Sequence, residues 1–323
     1  MTNTTTDPKT DVAPQLKKFK VSEVFGFEST QTVTGFEEPS DFVPEVDPTY
    51  QFDKQTTEVL LAGFENNLRV LVQGYHGTGK STHIEQIAAR LNWPCFRLNL
   101  DGHISRLDLV GRDAIVIKDG KQITTFREGI LPWALQRPMA LVLDEYDAGR
   151  PEVMFAIQRL LEKDGVLALP EQNRIVNPHK HFRLFGTANT VGLGDATGMY
   201  HGTNQLNQAQ MDRWNMVVRL NYLEEEKEAD IVMSKAAEFH NRRDLVLKMV
   251  RLANLTRTGF MAGDIATVMS PRTVLMWAEN AQIFGDIFEA YKLTFMNRAD
   301  VEDEQTLIEY FQRVFGTTEG ITL

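Results

Sequence analysis

The sequence predicts an α/β fold: a parallel β-sheet core carrying two β-hairpin inserts, followed by a smaller, all-helical C-terminal domain. Three observations predict it. An apolar strand pattern at 68–73 runs directly into the glycine-rich stretch Gly74-Tyr75-His76-Gly77-Thr78-Gly79-Lys80-Ser81, and a helical pattern follows. Strand and helix patterns alternate from about residue 51 to 221, as in sheets built from right-handed crossovers. Beyond residue 222 strand patterns cease.

The 323 residues divide accordingly. Residues 1–16, rich in Thr, Asp and Pro, are expected to form a disordered tail. Residues 17–50 hold short apolar islands around Phe19–Phe25 and Phe42–Val46 and are expected to be an arm packed on a body, its own or a neighbour's. Residues 51–221 form the α/β domain and 222–323 the helical lid. In the α/β part, helices are expected over 56–66, 81–91, 128–136 and 151–163, and strands over 68–73, 95–100, 139–143, 182–188 and 215–220. The apolar run Met139-Ala140-Leu141-Val142-Leu143 suits a strand buried on both faces. Two β-rich runs flank Asp119-Gly120, a hairpin turn signal, over 114–126, and a second hairpin is expected over 165–177. The lid should contain helices over 224–239, 244–255, 270–284, 287–296 and 302–314, the first opened by a solvated acidic run, 224–228.

Composition bounds the function. With 42% hydrophobic and 24% charged residues the chain is an ordinary globular protein. Cys95 stands alone, which excludes an internal disulfide, fits a cytoplasmic setting, and reads as a small core residue. No apolar run approaches the roughly 18 residues of a membrane span, and the N-terminus lacks the pattern of a secretion signal. A net charge of −10 disfavours a nucleic-acid motor. His179 and His181 lack matching ligands and read as a solvent-exposed turn.

The glycine-rich stretch spells G-x-x-x-x-G-K-[ST], the phosphate-binding loop. Gly74, Gly77 and Gly79 let backbone N–H groups turn onto phosphate oxygens, with Thr78 and Thr82 beside them and His76 inside the loop. Lys80 supplies a charge to the β- and γ-phosphates of ATP, and Ser81 offers its hydroxyl to Mg²⁺. Leu141-Val142-Leu143-Asp144-Glu145 delivers two acids at a strand end: Asp144 for Mg²⁺ and Glu145 as general base toward water. Asn189 ends the next strand, where ligands bind open α/β sheets, and can orient that water or touch the γ-phosphate. Arg213, just before the last strand, matches an arginine finger that works on a neighbouring subunit's nucleotide. Arg272 opens a lid helix and could contact phosphate. The plain alternatives are a turn at Asn189, a surface pair of Arg213 with Asp212, and a solvated helix start at Arg272.

Together these elements resemble the AAA+ ATPases over most of residues 40–315. The placement of the two hairpins, the first between two halves of the core's second helix, resembles the helix-2-insert group, which includes MoxR-type ATPases and the magnesium-chelatase ATPase subunit. The segments 72–83, 99–111, 143–152 and 17–25 are similar to the small ATPase subunits of aerobic cobaltochelatases. That resemblance implies a homo-oligomeric ring, expected to be a hexamer with hairpins toward its pore. It implies two partners: a second AAA-like subunit with an integrin-type metal-binding domain and a large corrin-binding catalytic subunit. The reaction implied is ATP-driven Co²⁺ insertion into hydrogenobyrinic acid a,c-diamide in cobalamin synthesis, without nucleic acid or membrane. A MoxR-type chaperone maturing another metalloprotein is the alternative; a DNA translocase and a non-hydrolysing scaffold are more distant ones.

Overall fold

The computed structural model describes residues 15–162, 164–189, 208–318 and 321–322. The expected tail therefore lies outside the described residues up to position 14, and it ends earlier than expected, because β1 (Leu16–Lys20) already pairs with β2 (Thr32–Phe36) around the short helix α1 (Val21–Phe25). This arm packs on its own chain. Val21, Phe25, Val33 and Phe36 bury against α2 (Lys54–Asn66) and the helix behind the glycine-rich loop, and Phe36 N–H donates to Leu91 O at 2.9 Å. Strand pairing within the arm was not foreseen.

The core sheet is parallel and five-stranded, in the order β11-β3-β10-β7-β4. Along the chain come β3 (Val70–Gln73), α3 (Lys80–Arg90), β4 (Cys95–Asn99), α4 (Arg106–Val110), β5 (Gly111–Lys118), β6 (Lys121–Glu128), α5 (Ile130–Leu135) and β7 (Ala140–Asp144). There follow α6 (Pro151–Gln158), β8 (Leu167–Leu169), β9 (Arg174–Val176), β10 (Arg183–Ala188), α7 (Gln208–Met211) and β11 (Met216–Arg219). Strand side chains alternate between faces, and here both faces are covered. Val70, Val72, Ala140, Val142 and Phe185 bury against α2, α3 and the arm, while Leu71, Leu141, Leu143 and Leu184 bury against α4–α6. That double burial is why these strands read as unbroken apolar runs.

The first hairpin does lie between two short helices. It is longer than expected, spanning 111–128 in place of 114–126, with Gly111 opposite Glu128 at its base. A Ser105–Asp108 capping box starts α4, and Gly129 N–H donates to Val110 O at 3.1 Å where the chain re-enters. The second hairpin is the short pair β8–β9.

The C-terminal region is helical: α8 (Glu225–Lys235), α9 (Arg243–Ala262), α10 (Pro271–Phe284), α11 (Ile287–Thr294) and α12 (Glu304–Phe315) around a core centred on Trp277, Tyr291 and Phe311. Three expectations change. Helix 224–239 stops at Lys235, because Ala236 turns extended. Helix 244–255 runs on to Ala262, its Thr256, Arg257 and Phe260 still facing the core, until Gly263 caps it in the left-handed region. The acidic run is not wholly solvated: Glu228 is buried and forms a two-pronged ion pair with buried Arg257, at 2.7 and 2.8 Å. The His179–His181 turn also departs from expectation. His181 packs edge-on against Phe36 and Trp93, and burial, aided by His179, Lys180 and Arg183, lowers its pKa to about 4. Cys95 packs against the sheet's apolar cluster, and burial pushes its thiol up.

Candidate nucleotide site

The glycine-rich loop connects β3 to α3, and its geometry needs glycine at three places. A Cβ on Gly74 would meet Leu220 O at 2.1 Å. Gly77 and Gly79 take φ of +74° and +84°, and a Cβ on Gly77 would lie 2.4 Å from Ser270 Cβ in the lid. The loop is closed by Thr78, whose hydroxyl donates to Tyr75 O at 3.0 Å.

Lys80 opens α3 and turns back beneath the loop. Its ammonium donates to Gly74 O and Tyr75 O at 2.9 Å each and to Asn189 Oδ1 at 2.8 Å. Burial lowers its pKa to about 8, against the opposing pull of Asp144, Asp147 and Glu145. Ser81, the next residue, donates to Asp144 Oδ1 at 2.5 Å.

Asp144 ends β7 and is buried. Burial alone would raise its pKa, but hydrogen bonds from Ser81 and Thr187 and the Arg97 guanidinium outweigh it and hold the carboxyl below its ordinary value. Thr187 Oγ1 donates to Asp144 at 2.5 Å and accepts from Glu145 N–H at 3.1 Å. Glu145 itself sits at φ +54°, ψ +47°, a left-handed backbone unusual for glutamate, which swings its side chain out of the strand direction into the cleft. Asn189 is fixed at its backbone, where its N–H donates to Asp147 Oδ2 at 3.0 Å.

One cleft at the C-terminal edge of the sheet gathers most of the sequence-predicted residues. His76, Gly77, Gly79, Lys80, Ser81 and Thr82 line its loop side. Asp144, Glu145 and Asn189 line its strand side, and Arg272 enters from the lid. Ser270 caps α10, accepting from Thr273 N–H at 3.3 Å, and Pro271 begins the first turn, which sets Arg272 at the mouth. His76 is half-buried, and burial, Lys80 and Arg272 push its pKa down. Gly74 and Thr78 shape the loop from behind.

Arg213 does not line this cleft. It donates to Ala209 O and lies 3.7 Å from Glu162, so the alternative pairing with Asp212 is replaced by one with Glu162. Sequence reasoning missed Arg97 and Thr187, both in the cleft wall, and Asp147. The sequence carried only the period-two spacing, Thr187 two residues before Asn189 and Arg97 two before Asn99; the register that pairs Asn99 with Asp144 belongs to the folded sheet.

Residues 69–213 match the AAA domain of the dynein-related subfamily. The aerobic cobaltochelatase subunit CobS of a Sinorhizobium species is 60% identical over 298 residues, covering 92% of this chain and 90% of that protein. Protein NorQ of Paracoccus denitrificans is 26% identical over 228 residues, covering 71% and 78% of the two chains. Among solved structures, the Thermotoga maritima RuvB branch-migration motor matches with a TM-score of 0.46 and 13% identity, covering 84% of this chain and 72% of that one.

Proposed function

This chain belongs to the family of the aerobic cobaltochelatase subunit CobS, and we propose that it is the ATP-hydrolysing motor subunit of such an enzyme, driving Co²⁺ insertion into hydrogenobyrinic acid a,c-diamide in cobalamin synthesis. The observation that carries this reading is 60% identity spread over nine-tenths of both chains.

The residue roles follow from the cleft. Lys80 is already held as an ammonium donor to three oxygens, so incoming β- and γ-phosphates exchange with acceptors it now uses. Gly77 and Gly79 line the same volume, where their backbone N–H groups would meet phosphate oxygens. Asn189, released from Lys80, is placed to orient the lytic water. Glu145 takes that water's proton, and its left-handed backbone aims the carboxylate into the cleft. Arg272 reads the phosphates from the lid, and Arg213 serves the neighbouring subunit's nucleotide.

Mg²⁺ fits the residues present. Ser81 Oγ and Asp144 Oδ1 lie 2.5 Å apart, both hard oxygen donors, and the carboxyl is kept ionised. Ser81 and Asp144 would hold it beside the nucleotide, where it would supply positive charge to the phosphates. The assembly we infer is a homo-oligomeric ring, with a hexamer the leading case, in the cytoplasm. Its partners are a second AAA-like subunit with a metal-binding integrin-type domain and a large corrin-binding subunit. No helix among the described residues is long and apolar enough to cross a membrane.

Reconstitution tests this. The purified chain, the two partner subunits, Co²⁺, ATP and the corrin substrate are expected to yield cobalt insertion that stops when ATP is omitted. Sustained ATP hydrolysis with no cobalt inserted would overturn the reading and favour a chaperone of another metalloprotein.

A further inference from the structure

Asp144 is already ion-paired. Its Oδ1 accepts from Ser81 and Thr187, while its Oδ2 accepts from Arg97 Nε at 2.7 Å, with a second guanidinium nitrogen also in contact. The Asp144 side chain is 5% exposed and that of Arg97 41%. The positive charge therefore approaches the buried carboxylate from the open side of the cleft, the side from which a metal ion would enter. Arg97 reaches this place from the edge strand β4, where it lines the cleft with Lys80 and Arg272. Glu85 from α3 faces Arg97, Glu145 shares the cleft with it, and Glu145 and Asp147 both act on the nearby Lys80.

We propose that Arg97 occupies the charge position of a divalent cation at Asp144 and so makes metal entry depend on nucleotide. The proposal rests on the reading of this cleft as a nucleotide site. Without nucleotide, Asp144 is neutralised by Arg97, and Lys80 adds a second positive charge nearby. A dication brought to Asp144 meets a guanidinium at about 4 Å, and even with water-like screening that repulsion weakens binding by about tenfold or more. A triphosphate carries enough negative charge to offset both cations, so the metal enters with it. Arg97 is thus a positioning residue: it acts on the carboxylate that holds the metal and controls the order in which metal and nucleotide arrive.

The test measures Mn²⁺ binding to the full chain by paramagnetic resonance of the free ion, with and without a non-hydrolysable ATP analogue. Wild type is expected to bind Mn²⁺ weakly without nucleotide and far more tightly with it. Arg97→Gln is expected to tighten nucleotide-free binding about tenfold, Arg97→Lys to leave it weak, and Arg97→Gln combined with Asp144→Asn to lose the gain. Equal nucleotide-free affinities in wild type and Arg97→Gln overturn the proposal, as does a gain that survives without Asp144. A melting curve for each variant separates misfolding from a changed site, and the lysine variant keeps the charge in either case. The underlying reading has its own control: Lys80→Ala should lose nucleotide binding in metal-free buffer. Retained binding there would refute the cleft assignment, whatever Arg97 does.

Discussion

At the residue scale the most consequential group is Lys80. Its ammonium is buried under the loop, and burial brings its pKa from 10.5 to about 8. A triphosphate beside it favours the charged form, so the bound pKa lies above the free one. Below pH 8 the lysine is charged in both states and affinity is independent of this group. Above pH 8 the free protein has lost the proton that the complex needs, and binding must take one up. ATP affinity is therefore expected to fall about fivefold between pH 8 and 9, and to approach tenfold per pH unit above that, following one proton per site. Calorimetric titration at pH 8.5 in two buffers of different ionisation heat should show net proton uptake. Affinity that stays flat to pH 9.5 would show that burial does not depress this lysine. Lys80, Ser81, Asp144 and Asn189 were all legible in the sequence, because each sits at a motif position whose spacing fixes its place on a strand end or helix start. Arg97 and Thr187 were not. A strand pattern tells which residues alternate but not which strands are neighbours, and only the order β10-β7-β4 puts both side chains onto Asp144.

At the scale of elements, the hairpin β5–β6 contrasts with everything around it. Ile115 and Ile117 are 71% and 76% exposed, although an isolated two-stranded ribbon is marginal in water. Its base, by comparison, is fixed. Phe126 packs on the core, and a Cβ on Gly129 would meet the Leu109 carbonyl at 2.4 Å. The outer ten residues therefore contribute little to the fold and present apolar surface for something else. Since Ala114 pairs with Thr125, replacing residues 115–124 by Asn-Gly shortens the ribbon in register. The shortened chain is expected to melt within a few degrees of wild type and to bind ATP normally. Cobalt insertion in the reconstituted system is expected to fall at least tenfold. Unimpaired insertion would remove the ribbon from the coupling path. The turn at Asp119-Gly120 announced this hairpin, and the flanking helix halves were expected too. The extra length at its base was less readable, since Gly111, Arg112, Arg127 and Glu128 carry no apolar alternation. The arm's strands were missed for a related reason: β1 shows Leu16 and three lysines to solvent and gains its order from β2 and Glu65.

At the scale of the whole molecule, the lid and the loop are mechanically joined. Ser270 lies against Gly77, Tyr222 stacks on Tyr75 with ring planes 3° apart, and the Arg257 guanidinium lies over the Tyr222 ring at 4.2 Å. Arg257 is in turn hydrogen-bonded to Glu228 and Met269 O, so any shift of the loop on binding phosphate would bear on α8, α9 and α10. In the proposed ring, rotation of the lid would change what one subunit presents to the next, which is where Arg213 would enter. It lies outside its own cleft, held near Glu162, and in the proposed ring it would complete the site of a neighbouring subunit. This has a sharp consequence for mixtures. Lys80→Ala and Arg213→Ala subunits are each expected to be inactive alone. In a mixed ring, a site can combine Lys80 from an Arg213→Ala subunit with Arg213 from a Lys80→Ala neighbour, and that site is intact. Random equimolar mixing should therefore restore ATP hydrolysis to about a quarter of the wild-type rate, since half of the positions qualify on each side of a shared site. If Arg213 acted within its own subunit, no mixed ring would contain an intact site, and activity would stay at the level of the two variants measured separately. The readout is steady-state phosphate release after the two variants are dissociated, mixed and reassembled with ATP.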